Sequence, residues 1–75
     1  MNYIKYKNLN ENSNVFAYRI NLDSIDVMFN GSNRTYRYSY NSAGIRNVNE
    51  LIIRAERGYG LNSFINRFCK YLYEK

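Results

Sequence analysis

The side chains of this sequence best suited to ligand chemistry are its arginines and tyrosines. Nine tyrosines accompany seven arginines. Guanidinium groups match phosphate oxygens in a bidentate way, and tyrosine rings offer surfaces on which bases stack. The combination predicts binding of an anionic, phosphate-bearing ligand without any bond being made or broken. The arginines are Arg19, Arg34, Arg37, Arg46, Arg54, Arg57 and Arg67.

The first candidate site is a joint between two predicted helices. Free backbone N–H groups at the start of a helix attract anions, and Gly58 and Gly60 would let a phosphate approach the backbone closely. The same glycines also fit a helix stop followed by a tight turn, which requires no ligand. The candidate ligand-binding residues at this joint are Arg57, Tyr59, Gly60, Asn62 and Arg67.

The second candidate site is one face of a predicted sheet. Arg37 has Arg19 on a neighbouring strand and Tyr40 nearby, so the three side chains form a candidate binding platform. Asp26 is expected on the same face, and cross-strand charge pairing is therefore the competing interpretation of both arginines.

Groups that catalyse reactions are scarce in this chain. The sequence has no histidine and one cysteine, so a zinc site of the usual ligand types cannot be built. That cysteine, Cys69, falls on an apolar helix stripe and has no histidine to activate it. We therefore expect a protein that is not an enzyme and that uses neither a metal nor a cofactor.

Composition and charge indicate a small protein that does not enter membranes. The formal charge of +5 favours anionic partners by electrostatic steering, although many small domains carry such a charge for solubility. Apolar runs are too short to span a membrane, and the N-terminus lacks the apolar core of a signal peptide. A single cysteine excludes an internal disulfide framework. We expect a cytoplasmic location and no membrane partner.

Residues 15–20, 25–29 and about 34–40 alternate with the period of a β-strand. Turn residues separate them, including the Asn30-Gly31 pair, so the three strands are predicted to form an antiparallel meander. Residues 1–12 are a lead-in that is either loose or pairs at a sheet edge. The predicted core face carries Phe16, Tyr18, Ile20, Ile25, Val27, Phe29, Tyr36 and Tyr38.

Two C-terminal helices, at about residues 48–57 and 62–73, are predicted to cover that face. Asn47 and Glu50 have the spacing of a capping box for the first helix, and Gly58 fits its left-handed stop. Asn62 or Ser63 is predicted to cap the second helix. The result is a single α+β domain over residues 1–75.

The order of these features resembles the KTSC family, a short domain found at the C-terminus of some lysyl-tRNA synthetases and as stand-alone proteins, including phage proteins. The resemblance implies a small strand-then-helix domain and carries over no catalytic residues. The chain lacks the family's usual Val-Pro after the third strand, since it has no proline. The matching pieces are Ser13-x-Val15-x-x-Tyr18, Ile25-Asp26-Val27-Met28-Phe29-x-x-Gly31, Tyr36-Arg37-Tyr38, Leu51 with Ala55, and Gly58-x-x-x-Asn62-x-x-Ile65.

Two classes of function follow from these features. In the first, the protein is a non-catalytic binding module for nucleic acid or a nucleotide. In the second, it is a phage-type interaction protein of the host cytoplasm, which inhibits a host defence component by binding a host protein or sequestering a signalling nucleotide. The second class rests on where the resembling family occurs. Exposed edges of the meander also make a homodimer or higher homo-oligomer an expectation.

Overall fold

The computed structural model describes residues 3–75, in which four strands precede the helices. All neighbouring strands are antiparallel, and their order in the sheet is their order in the chain. The predicted α+β class is confirmed, with one strand more than the predicted meander. The strands are β1 (Ile4–Lys5), β2 (Val15–Ile20), β3 (Ser24–Phe29) and β4 (Thr35–Ser39), and the helices are α1 (Tyr40–Ala43), α2 (Ile45–Arg57) and α3 (Leu61–Phe64), the last continuing into a π-helical turn (Ile65–Cys69).

The core lies between one face of the sheet and the helices. Directly opposed pairs such as Tyr18 with Val27 and Ile25 with Tyr38 point to the same face, because side chains alternate along a strand. The helices cover these residues with their apolar stripes. The buried helical side chains are Val48, Leu51, Ala55, Leu61, Ile65 and Cys69.

A β-bulge at the start of β2 changes the predicted core face. Val15 lies opposite Phe29 and Ala17 opposite Met28, which leaves Phe16 as the extra residue. Val15 is buried, whereas Phe16 is 49% exposed. The placement of Phe16 in the core was therefore wrong, because an extra residue shifts the alternation by one position.

The start of α2 also differs from the prediction. The helix begins at Ile45, and Gly44 in the capping position provides no side-chain hydrogen bond. Asn47 lies inside the helix, where its Nδ2 donates to the carbonyl of Ala43 at 2.9 Å. The predicted capping box at Asn47 and Glu50 is therefore wrong. Gly58 ends α2 in the left-handed conformation with φ 87°, as predicted.

A capping box does occur, but one helix earlier. Ser39 and Ser42 exchange hydrogen bonds at the start of α1, with N···O distances of 3.0 and 3.1 Å. This four-residue helix occupies the connection between β4 and α2, and it begins at Tyr40, which was wrongly predicted as the end of the third strand.

The last helix is shorter than the predicted range of 62–73. It begins at Leu61 after Gly60, which is left-handed with φ 81° and supplies no side-chain cap, so the predicted caps Asn62 and Ser63 are wrong. Regular helix ends at Cys69. Among residues 3–75, no helix is both long enough and apolar enough to cross a bilayer.

The N-terminal segment packs against the joint between α2 and α3. Tyr6 is buried, and its hydroxyl accepts a hydrogen bond from the N–H of Leu61 at 3.3 Å. The N–H of Leu9 donates to the carbonyl of Gly58 at 2.8 Å. Contacts between positions more than 45 apart in sequence therefore hold the turn between the two helices in place.

The C-terminal residues pack against β4. The ring of Tyr73 meets those of Tyr36 and Tyr38 edge to face, at centroid distances of 4.9 and 6.4 Å. The N–H of Glu74 donates to the carbonyl of Arg37 at 2.7 Å. This hydrogen bond occupies a position on the outer edge of the sheet that another strand would otherwise use.

Candidate anion-binding site at the helix joint

The two sheet-face arginines are held by one buried carboxylate. Arg19 and Arg37 lie directly opposite Asp26 in the register of β2, β3 and β4. Arg19 Nη2 is 2.8 Å from Asp26 Oδ2, and Arg37 Nε is 2.7 Å from Oδ1. The side chain of Asp26 is fully buried beneath them. The geometry is that of a cross-strand ion-pair network, the competing interpretation for this face.

The protonation of this network follows from its contacts. Burial alone would raise the pKa of Asp26, but hydrogen bonds from Arg37, Arg19 and Asn21 outweigh it and lower the pKa to about 2. The hydrogen bond to Asp26 correspondingly raises the pKa of Arg37. At neutral pH the carboxylate is ionised, so three charged groups leave only one net positive charge.

Neighbouring side chains make this face still less suitable for binding a ligand. The ring of Tyr3 lies 4.8 Å from the guanidinium carbon of Arg19, and its hydroxyl is 3.0 Å from Thr35 Oγ1. Tyr40, expected beside the arginines, is the first residue of α1, where its N–H donates to the carbonyl of Asp23 at 2.9 Å. The structure thus brings Arg19 and Arg37 together through Asp26 and places Tyr40 on a separate element.

The helix joint has a different electrostatic character. A Cβ added to Gly60 would lie 2.9 Å from Arg57 Nη2 and 3.1 Å from Arg54 Nη1, so the two guanidinium groups converge on one point. Arg54 Nη1 donates to the carbonyl of Gly60 at 3.1 Å, and Arg57 Nε donates to that of Tyr59 at 3.1 Å. The carbonyl groups of Tyr59 and Gly60, which lie in the turn, thereby hold two positively charged guanidinium groups side by side.

Aromatic rings lie against these cations. The guanidinium of Arg57 stacks on Tyr59 at 4.0 Å, and that of Arg54 stacks on Phe64 at 4.7 Å. The rings of Phe64 and Phe68 are 4.9 Å apart, and Arg67 lies 5.5 Å from the ring of Phe68. These contacts form an unbroken series of side chains. We call it the joint cluster, and its members are Arg54, Arg57, Tyr59, Phe64, Arg67 and Phe68.

Two shallow hollows adjoin the joint cluster. The larger, of about 260 Å³, is lined by Arg54, Ser63, Phe64, Arg67 and Phe68. The smaller, of about 100 Å³, contains Gly60 and Asn62 of the predicted site, shares Ser63 with the larger one, and is otherwise lined by the N-terminal loop. All five predicted joint residues therefore lie in the joint cluster or in the adjoining smaller hollow.

The π-helical turn has a direct part in this arrangement. Arg67 and Phe68 both belong to it, whereas Phe64 is the last residue of the α-helical part. A π turn is rare, and it often occurs at functional sites because it changes where side chains point. Here it accompanies the contact of Phe68 with Phe64, on the side that also carries Arg54.

The joint cluster carries excess positive charge. Glu50 accepts a hydrogen bond from Arg54 Nε at 2.8 Å, one helical turn away. Within residues 3–75, neither Arg57 nor Arg67 forms an ion pair with a carboxylate. Three guanidinium groups therefore share one carboxylate, in contrast to the nearly balanced network around Asp26.

Backbone N–H groups contribute less than the sequence suggested. The N–H of Leu61, at the start of α3, already donates to the hydroxyl of Tyr6. The α-helical part also has only four residues before the π turn. Side chains rather than the helix terminus therefore supply the positive groups at the joint.

Sequence reasoning missed three members of the joint cluster, namely Arg54, Phe64 and Phe68. Arg54 could have been found, because it precedes Arg57 by three residues and so shares a helix face with it. Phe64 and Phe68 were taken for the apolar stripe, yet Phe68 is 55% exposed. The π turn that displaces this ring has no signal in the local residue pattern.

Cys69 lies behind the joint cluster and is buried. Burial raises the pKa of its thiol, which disfavours the reactive thiolate form. Within the described residues 3–75, no group of three or more histidine, cysteine or acidic side chains is arranged to hold a metal ion.

Comparisons of the chain with family models, with curated proteins and with solved structures find no match. The geometry and charge of the joint cluster are therefore the basis on which a function is proposed.

Proposed function

We propose that this protein is a non-catalytic binding module for an anionic, phosphate-bearing ligand, a nucleic acid or a nucleotide, and that the joint cluster is its binding site. The observation that carries the proposal is the convergence of Arg54 and Arg57 over Gly60. Two like charges held together by backbone carbonyls repel each other, and a bound anion removes that repulsion.

The chemistry of the joint cluster suits phosphate. Guanidinium groups donate paired hydrogen bonds to phosphate oxygens, and charge-assisted hydrogen bonds of this kind are stronger than neutral ones. Gly60 has no Cβ, so the guanidinium groups of Arg54 and Arg57 can both lie against its backbone, where a side chain would push them away. Asn62, in the adjoining hollow, adds an amide that can donate to a ligand.

In this proposal the network of Arg19, Asp26 and Arg37 is chiefly structural. Its carboxylate already occupies hydrogen-bond donors of both arginines, so an added anion would compete with Asp26. Arg37 is nevertheless 47% exposed in its side chain and can add long-range attraction.

The test is binding of nucleotides and oligonucleotides by the protein and by matched variants. Arg57→Gln and Arg67→Gln each remove one charge of the joint cluster, and Arg34→Gln is the control. Arg34 also stacks on a ring, that of Tyr36 at 5.1 Å, but outside the joint cluster. We expect clearly weaker binding in the first two variants and nearly unchanged binding in the control. If all three variants bound the ligands with the affinity of wild type, the joint cluster would be ruled out as the binding site.

The alternative proposal is a phage-type interaction protein that inhibits a host defence component in the host cytoplasm, by binding a host protein or sequestering its signalling nucleotide. The observation that favours a protein partner is the exposure of Ile45 and Ile53 on α2, at 56% and 53%. The dependence of binding affinity on salt concentration distinguishes the two proposals. Affinity that falls steeply with rising salt indicates phosphate contacts, whereas an interface with an apolar centre weakens far less.

A further inference from the structure

We infer that the ligand of the joint cluster is a single-stranded nucleic acid, with bases stacked on Tyr59 and Phe68 and phosphates on the arginines between them. This inference rests on the proposed function and narrows its ligand class. The observation that carries it is that the joint cluster holds two exposed rings, Tyr59 and Phe68, and that each has an arginine against it.

Two rings of the joint cluster are open to a ligand. Tyr59 is 43% exposed and Phe68 is 55% exposed, while Phe64 between them is half-buried. Arginine covers part of each exposed ring, at 4.0 Å for Tyr59 and 5.5 Å for Phe68. A base that stacks on either ring therefore has a guanidinium beside it, where its own backbone phosphate would lie.

The hollow lined by Phe64 and Phe68 is small for an isolated nucleotide. Sites for small molecules enclose most of the ligand and usually exceed about 300 Å³. The hollow beside Arg54 and Arg67 is about 260 Å³ and is rimmed by the exposed ring of Phe68. A shallow hollow of this size can hold one part of a longer chain, the rest of which would lie across the adjoining surface.

A duplex fits the site less well than a single strand. Bases in a duplex are already stacked on one another, so exposed rings find no free base face unless the duplex is opened. Phosphates of a duplex can still contact Arg57 and Arg67 from outside. The inference therefore predicts weak, salt-sensitive binding of duplex and tighter binding of the same strand alone.

Fluorescence anisotropy with a labelled oligo-dT of about 12 nucleotides tests this directly. Unlabelled oligo-dT, the duplex of oligo-dT with oligo-dA, ATP and inorganic phosphate serve as competitors. We expect oligo-dT to compete best, with ATP and phosphate at least about tenfold weaker per molecule, because ATP offers one base and phosphate offers none, so neither can stack on both rings.

Substitutions of rings and of arginines separate the contribution of base stacking to oligo-dT binding from the contribution of charge. Phe68→Leu and Tyr59→Leu remove a ring and keep an apolar side chain, and each should weaken oligo-dT binding about 5- to 150-fold. Tyr40→Leu is the matched control, since Tyr40 is 39% exposed and belongs to α1. Arg57→Gln and Arg67→Gln should each reduce the slope of log affinity against log salt by about 0.7, whereas the ring variants should leave that slope unchanged.

The outcomes are distinguishable. Loss of oligo-dT affinity in both ring variants, with Tyr40→Leu unchanged, supports the inference. If ATP binds as tightly as oligo-dT and the ring variants bind like wild type, the single-strand inference is overturned while the anion site stands. Absence of binding to every phosphate-bearing competitor overturns the inference and the proposed function together. Thermal unfolding of each variant, followed by circular dichroism, shows that any loss arises in the folded protein.

Discussion

Arg37 Nε donates to Asp26 Oδ1 at 2.7 Å across directly paired positions of β4 and β3. Arg19 reaches the other oxygen of the same carboxylate from β2. One acidic side chain therefore joins the three longest strands on the face that carries no helix. A buried carboxylate is tolerated there because both of its oxygens accept charge-assisted hydrogen bonds.

Asp26 should make the protein sensitive to acid. Its pKa falls from an ordinary value of 3.8 to about 2 on folding, so the network stabilises the native state above about pH 4. That contribution is lost as the pH falls through 2. We expect the free energy of unfolding to drop by about 2 kcal/mol between about pH 5 and pH 2 through this group. Urea unfolding at a series of pH values measures the drop.

Asp26→Asn should flatten that part of the pH profile and lower stability at pH 7, since it removes the charge that both arginines face. Asp23→Asn is the control, because Asp23 is exposed in the preceding turn, and it should keep the wild-type profile. A profile for Asp26→Asn as steep as that of wild type would show that another group is responsible.

Gly58→Ala should destabilise the protein more than Gly31→Ala. Both glycines have positive φ, at 87° and 76°, so both substitutions strain the backbone. At Gly31 the added Cβ meets no heavy atom within 4 Å, whereas at Gly58 it lies 2.7 Å from Lys7 Cβ. The extra overlap should cost about 1 to 3 kcal/mol. Paired urea titrations give the difference in the free energy of unfolding. Equal losses in the two variants would mean that the N-terminal segment moves away from Gly58 without an energetic cost.

Tyr6→Phe should cost about 1 kcal/mol. The substitution removes the hydroxyl that accepts the N–H of Leu61 and leaves this donor buried without a partner. Tyr59→Phe is the control, because it removes the hydroxyl of an exposed tyrosine. Hydrogen exchange of the Leu61 amide should also accelerate in Tyr6→Phe. An unchanged exchange rate would show that the hydroxyl does not protect this amide.

Tyr73→Ala and Tyr71→Ala should differ clearly although the residues are two positions apart. Tyr73 packs edge to face on two tyrosines of β4, so its removal should cost about 2 kcal/mol. Tyr71 is 68% exposed, and its substitution should cost less than about 0.5 kcal/mol. Thermal and urea unfolding of both variants test this, and similar losses would contradict the packing of the C-terminal residues on β4.

Removal of residues 73–75 should also affect self-association. The N–H of Glu74 occupies the carbonyl of Arg37 on the edge of β4. The opposite edge of the sheet is β1, which has only two residues. We therefore expect strand-paired dimers to increase when β4 is uncovered. Sedimentation velocity of the truncated and complete chains measures this, and identical profiles would exclude β4 as a pairing edge.

Much of the fold was predictable because it depends on local periodicity. The alternation over residues 15–20 and 25–29 marks two strands within one residue of the observed ends. Gly58 as a left-handed stop was also predictable, since few residues other than glycine adopt that conformation. The N-terminal caps of the helices were not predictable, because Asn47 makes an equally good hydrogen bond from inside the helix.

The site was predictable only in part. Arg57, Tyr59 and Arg67 were located by their position around two glycines. Phe68 was assigned to the apolar stripe because an ideal helix would have carried its ring toward the core. The π turn inserts a wider turn at this point and leaves the ring at the surface.

The sequence by itself determined the class of fold, the position of β2 and β3 and the excess of positive charge, since each follows from residue type and spacing along a continuous stretch. Tertiary structure decided which charges are neutralised. Register places Asp26 between Arg19 and Arg37, whereas Arg54 and Arg57, which share a face of α2, have only the carboxylate of Glu50 in an ion pair among residues 3–75. That difference arises because ion pairing depends on distances of a few ångströms between segments that are remote in sequence.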